Sequence, residues 1–216
     1  DILLYEYDRF DVYPGLPEKW NKGLFGGMQY DHPNAFPWIY WGRRPRLLEE
    51  KINKGVKRYE ERETESVFLG KVENPIQEGN RMGDNWFGVI EKFSLPVQMG
   101  DNLSWPYSQE EYLDLISNSK FGLCLAGYGP KCNREIEYLG LGVVPIMAPQ
   151  VDTTYHDPLK EGVHYFRVTN ASEIPFIIDK CSKEKWEEMS KAGREWYKKN
   201  CSIEGSFKTT LEIVSK

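Results

Sequence analysis

The stretch Lys120–Pro149, KFGLCLAGYGPKCNREIEYLGLGVVPIMAP, constrains the fold more than any other part of the chain. An apolar run, Phe121 to Ala126, ends at Gly127-Tyr128-Gly129. A segment of helical spacing follows and carries Arg134 and Glu137. After Gly140 and Gly142 a second apolar run begins at Val143 and ends at Met147. The pattern is strand, glycine-rich turn, helix, strand. Such a unit sets backbone N–H groups and a helix N-terminus at the carboxyl end of a strand, a place where an anion such as a phosphate binds well.

The flanking chain repeats the alternation. Ser66–Leu69 reads as a short buried strand that runs into Gly70-Lys71, a second strand-end ligand position, and then into a polar loop reaching Arg81. Residues 85–93 read as a helix, and Leu95–Gln98 as an edge strand, since Pro96 cannot donate to a ladder. Ser108 reads as the N-cap of a helix with Tyr112, Leu115 and Ile116 on its apolar face. Tyr165–Val168 reads as a strand. Helices are expected from Ser172 to about Cys181, over 183–199, where Trp186, Met189, Ala192 and Trp196 share one face, and over 203–214. Before residue 63 the sequence predicts a strand at Ile2–Tyr7, an irregular aromatic-lined loop over 18–41, a small basic turn at 43–46 and a charged helix over 47–62. Together these define an α/β class: a Rossmann-like, mostly parallel sheet flanked by helices. The expected division is an N-terminal segment 1–62, an α/β domain 63–182 and C-terminal helices 183–216 that pack back on it.

Composition removes several function classes. A net charge of −5 argues against general nucleic-acid binding. Four cysteines without a C-x-x-C spacing and only three histidines give neither a disulfide framework nor a zinc set. No apolar run reaches the roughly 18 residues of a membrane span. The G-x-G-x-x-G fingerprint is incomplete after Gly129, and Gly70-Lys71 lacks the Walker A surroundings, which weakens dehydrogenase and kinase readings.

A helix starting near Pro130 would put Arg134 one turn in and Glu137 on the same face three residues later. The guanidinium can pair with phosphate oxygens. The carboxylate can accept hydrogen bonds from two ribose hydroxyls, as acidic residues do in dinucleotide folds. The alternative is an ordinary i,i+3 ion pair on an exposed helix.

The runs F-x-L-C-x-x-G-Y-G, then R-x-x-E, then G-x-V-P-I resemble the nucleotide-sugar half of exostosin-type glycosyltransferases, which have the GT-B architecture. Phe68-Leu69-Gly70-Lys71 with the downstream Arg81 is similar to that family's F-x-G-K/R segment. The likeness covers roughly residues 64–170 and extends to short viral-type members; it implies that the family's N-terminal half is reduced or truncated in this sequence. It implies transfer of a sugar from a nucleotide sugar, a UDP-sugar, to a glycan hydroxyl, with inversion. By position Lys71, Arg81 and Arg134 would neutralise the diphosphate, Glu137 would hold the ribose, and the backbone of Gly127, Tyr128, Gly129 and Lys131 would complete the phosphate cradle. No two Asp residues lie two apart, so the D-x-D metal motif is missing and the basic residues would replace a metal. The resemblance therefore implies no metal and no cofactor beyond the nucleotide-sugar substrate. The base needed to activate the acceptor hydroxyl is sought among Asp8, Asp11 and His32, each of which could instead serve a turn or a cap. Trp38, Tyr40 and Trp41 could stack on sugars or fill a core. A non-catalytic nucleotide- or partner-binding module is the competing reading. The likeness implies a cytoplasmic location, or the Golgi lumen for a longer membrane-anchored protein.

Overall fold

The computed structural model describes residues 1–5, 19–27, 30–96 and 105–215. Two parallel sheets organise it. The larger has five strands: β4 (Thr64–Leu69), β5 (Lys92–Ser94), β6 (Ser119–Cys124), β7 (Val144–Met147) and β8 (Phe166–Arg167), in the order β5-β4-β6-β7-β8. Counted within the sheet this is 2-1-3-4-5, a doubly wound order. The chain therefore reverses direction across the sheet between β4 and β6. Their pairing, Ser66 with Phe121 and Val67 with Gly122, brings two carboxyl ends side by side.

Both faces of this sheet are buried, as parallel strands require. On one face Val67, Leu69, Cys124 and Met147 pack with α3 (Gln109–Ser117), α4 (Asn133–Gly140) and part of α6 (Lys183–Asn200). On the other, Phe68, Phe121, Leu123, Val144 and Ile146 pack against Trp86, Ile90, Ile174 at the start of α5 (Ile174–Lys180), Trp186 and Met189. The alternation along each strand is the period of two that sends neighbouring side chains to opposite faces.

The smaller sheet joins β1 (Ile2–Tyr5), β2 (Lys22–Phe25) and β3 (Ala35–Pro37), all parallel. The sequence predicts an irregular loop where β2 and β3 lie. Each strand spans only three or four residues among glycines and prolines, too short for alternation to register. Leu24 of this sheet and Trp38 and Ile39, just after β3, pack on α7 (Ile203–Ser215), and the Trp38 indole donates to Thr210 Oγ1 at 2.9 Å.

Other expectations shift. The polar loop before Arg81 contains a helix, α2 (Pro75–Met82), started by the Asn74 side chain, which accepts the Gln77 N–H at 3.0 Å, and by Pro75 at the first position. The helix expected over 85–93 reduces to a 3-10 turn at Trp86–Gly88 followed by β5, whose pairing with β4 overrides the local pattern. Strand β5 lies just before the edge strand expected at 95–98, of which residues 97 and 98 are outside the described residues. Helix α1 (Pro45–Asn53) ends well before Arg62. Arg62 is buried and donates to the carbonyls of Lys57, Ser117, Ser119 and Leu141. Among the described residues no helix is long and apolar enough to cross a membrane.

Candidate functional site

The carboxyl ends of β4 and β6 open into a crevice of about 350 Å³. Leu69, Gly70 and Lys71 enter it from β4, and Gly127 and Tyr128 from β6. The first turn of α4 adds Arg134 and Glu137, and α3 adds Gln109 and Tyr112. The crevice sits at the reversal point of a doubly wound sheet, where ligands of such folds bind.

Helix α4 begins at Asn133, not near Pro130. The Cys132 N–H donates to Glu135 Oε2 at 2.6 Å, which closes the first turn. Arg134 is thus the second helical residue. It is 7% exposed. Its Nε donates to the Leu69 carbonyl at 3.2 Å, its guanidinium lies 4.3 Å from the Phe68 ring centre, and its buried Nη1 has no hydrogen-bond partner. Arg81, 4% exposed, comes from the last turn of α2. Its Nε donates to Ala126 O at 3.2 Å, its Nη1 donates to Lys71 O, and its guanidinium also lies over Phe68. Burial, and then the charge of Arg134, push the Arg81 pKa down to about 10. The two guanidinium groups repel each other, the buried Glu135 carboxyl beside both offsets part of that cost, and an anion in the crevice would offset more. A Cβ on residue 127 would stand 2.9 Å from Arg81 Nη2, so glycine there admits the arginine.

Glu137 is 2% exposed and does not form an exposed ion pair. Its Oε1 accepts the Arg43 N–H at 3.0 Å and its Oε2 accepts the Tyr112 hydroxyl at 2.8 Å. Burial raises its pKa against those two hydrogen bonds. Each carboxylate oxygen has a further lone pair, and Glu137 is among the residues lining the crevice. Glu135 is wholly buried one position earlier in α4. Burial pushes its pKa up to about 7 despite the charge of Arg134.

The expected site residues divide. Lys71, Arg81, Gly127, Tyr128, Arg134 and Glu137 all line the crevice. Gly129 accepts the Gly127 N–H at 3.0 Å within the turn. The Lys131 ammonium points elsewhere: it is fully buried and donates to Gly26 O at 3.2 Å and to Thr154 O. His32 is not among the lining residues; its Nδ1 accepts the Asn34 N–H and its ring packs 4.4 Å from that of Trp20. Asp8 and Asp11 lie outside the described residues. Trp38 and Tyr40 are core residues. Arg43, Glu73, Gln77, Trp105, Tyr112 and Cys132 line the crevice without having been singled out. For Glu73 a signal existed, its place two residues beyond Lys71. For Tyr112 none did, since its apolar-face position reads as core.

The doubly wound parallel sheet with a crevice at its switch point, accompanied by a small second parallel sheet, has the GT-B-type α/β fold of glycosyltransferases. The solved structure of TarM is similar to this chain with a TM-score of 0.52 over 91% of it at 11% identity, and the chain spans 44% of TarM. A glycosyltransferase from Rickettsia africae ESF-5 gives 0.45 at 16% identity, with 85% of this chain and 48% of that one covered. The C-terminal domain of a glycosyl transferase group 1 family protein (LpcC) from Francisella tularensis gives 0.44 at 8% identity, covering 78% of this chain and 96% of the domain. At these identities the likeness is one of fold. No protein-family model and no curated protein matches the sequence.

Proposed function

We propose that this chain transfers a sugar from a nucleotide sugar, a UDP-sugar, to a hydroxyl of a glycan acceptor, with inversion and with basic side chains in the place of a metal. The observation that carries the reading is Arg134, nine-tenths buried at the start of α4 with an unpartnered Nη1, beside a second buried guanidinium at the switch point. A buried polar group without a partner calls for an explanation, and an anionic ligand supplies one. The exostosin-type motif residues Phe68, Lys71, Arg81, Arg134 and Glu137 converge on this place, which favours that branch of the fold.

In the reaction the acceptor oxygen forms a bond to the anomeric carbon and gives its proton to a base. The bond from that carbon to the diphosphate oxygen breaks, and the diphosphate leaves with the electron pair. Charge grows on the leaving oxygens, and in this reading Arg134, Arg81 and Lys71 are the cations that stabilise it. Glu137 holds the ribose hydroxyls. Asp8, Asp11 and His32 are the candidate bases.

Thermal melting with UDP, GDP and their sugars tests the reading. A ligand at one hundred times its Kd adds about 2.7 kcal/mol, which raises the Tm of a domain this size by roughly 5–10 °C. Arg134→Ala and Glu137→Ala should each abolish the rise. No rise with any of these ligands would remove the nucleotide site. Hydrolysis of the donor sugar in a mixed nucleotide-sugar pool identifies an enzyme; its absence alongside binding leaves a binding module.

A further inference from the structure

One residue of the crevice has no place in that scheme. Glu73 lies two positions beyond Lys71, at the entrance to α2. Its N–H donates to Gln77 Oε1 at 2.6 Å, which anchors its backbone. Its carboxylate receives the Lys71 ammonium on Oε1 at 3.0 Å and the Tyr128 hydroxyl on Oε2 at 3.0 Å. Burial works against its charge, but these two hydrogen bonds and the charges of Lys71 and Arg43 outweigh it and hold the carboxyl below the usual glutamate range. Glu73 is therefore an anion, and it sits on the cation and the hydroxyl that the two strand ends present.

We propose that Glu73 is an internal anion that occupies Lys71 and Tyr128 in the ligand-free crevice, yields them to an entering diphosphate, and reclaims them as the diphosphate leaves. The crevice then holds two unlike cationic places. The buried pair Arg81 and Arg134 stays open to a ligand. Lys71, partly exposed, is shared between the ligand and an anion of the chain itself. An intramolecular carboxylate two residues away has a high effective concentration, so it competes at every approach. A site that held its diphosphate product with all its cations unopposed would release it slowly, because affinity differences are expressed mainly in dissociation rates. Glu73 shortens the residence of a diphosphate without weakening the buried arginine pair.

The inference rests on the nucleotide reading for the identity of the ligand and on charge alone for its mechanism, so two probes are used. Calorimetric titration of the wild type and Glu73→Gln with UDP and with inorganic pyrophosphate, each run beside uridine, gives the answer. Glu73→Gln keeps the size of the side chain, and an unchanged melting curve confirms that it folds. It should bind both anions about tenfold tighter, mainly through slower dissociation, from the relief of a like charge near the ligand. Uridine should gain nothing. Glu78→Gln, the same charge change at an exposed position of α2 outside the crevice, should stay within about twofold of wild type. If UDP binds and Glu73→Gln holds it no more tightly, the internal anion is disproved while the nucleotide reading stands. A pyrophosphate gain with UDP bound by neither protein removes the nucleotide reading and keeps the internal anion. Failure of both anions to bind either protein removes both.

Discussion

Burial, more than partner identity, sets the behaviour of the residues around the crevice. Glu135 shows it most clearly: Oε2 accepts the Cys132 N–H, Oε1 has no partner, and the whole side chain is out of water. Its pKa stands near 7 against the usual 4.5. The folded protein therefore binds this proton more tightly than the unfolded chain does. Stability contributed by Glu135 is highest below about pH 4.5, falls as pH rises to about 7, and is flat above. The difference between wild type and Glu135→Gln in Tm, measured from pH 4.5 to 8, should close the gap on the acid side and open it by several degrees towards neutrality. A difference independent of pH would show that Glu135 is ionised throughout. At the same scale, Arg134 and Glu137 were legible as a pair from their spacing, but the spacing could not tell an exposed ion pair from two buried groups. That choice depends on α3 and on the segment before α1, which supply the Tyr112 hydroxyl and the Arg43 N–H to Glu137.

Helix α4 carries two residues of the candidate site, Arg134 and Glu137, and both its ends are closed by hydrogen bonds. Its start places Arg134 at the crevice. Its end is a Schellman turn: Gly142 N–H donates to Leu139 O at 3.2 Å and Val143 N–H to Tyr138 O at 2.9 Å, with Gly142 at φ +68°. A Cβ there would also stand 2.7 Å from Ser190 Oγ on α6. Gly142→Ala should therefore cost more than the 1–2 kcal/mol of the left-handed backbone alone, about 2–3 kcal/mol. Urea unfolding should show a lower midpoint with an unchanged slope. An unaltered midpoint would mean that the turn relaxes freely. Strands and helices of six residues or more were largely readable, because hydrophobic period and caps are local. The short strands β2, β3 and β5 were not, nor was α2 despite its eight residues. Asn74 and Pro75 are turn residues in one context and helix starters in another, and the sequence nearby does not decide between them.

Across the whole molecule, the two sheets are tied together through Lys131. The Lys131 ammonium reaches Gly26 O, just past β2, and Thr154 O, beyond β7, with Asp152 at 3.5 Å and the Tyr155 ring at 4.6 Å. Burial lowers its pKa against the pull of Asp152. Lys131→Met should leave these carbonyls unpaired at a cost of about 1–3 kcal/mol, with faster amide exchange over Lys22–Phe25, and should change the Kd for UDP less than twofold. Unchanged exchange in that strand would show that the tether does not hold the small sheet. The sequence by itself determined the local units: strands ending in glycine and a basic residue, a helix start carrying Arg134, and the α/β class that follows from their alternation. Backbone periodicity and capping need only near neighbours. The tertiary structure alone decided that the end of β4 lies beside the end of β6, that Arg81 and Arg134 share Phe68, and that Arg43, Glu73 and Tyr112 join them. Sheet order comes from burying both faces of five strands at once, and that balance involves residues far apart in the chain.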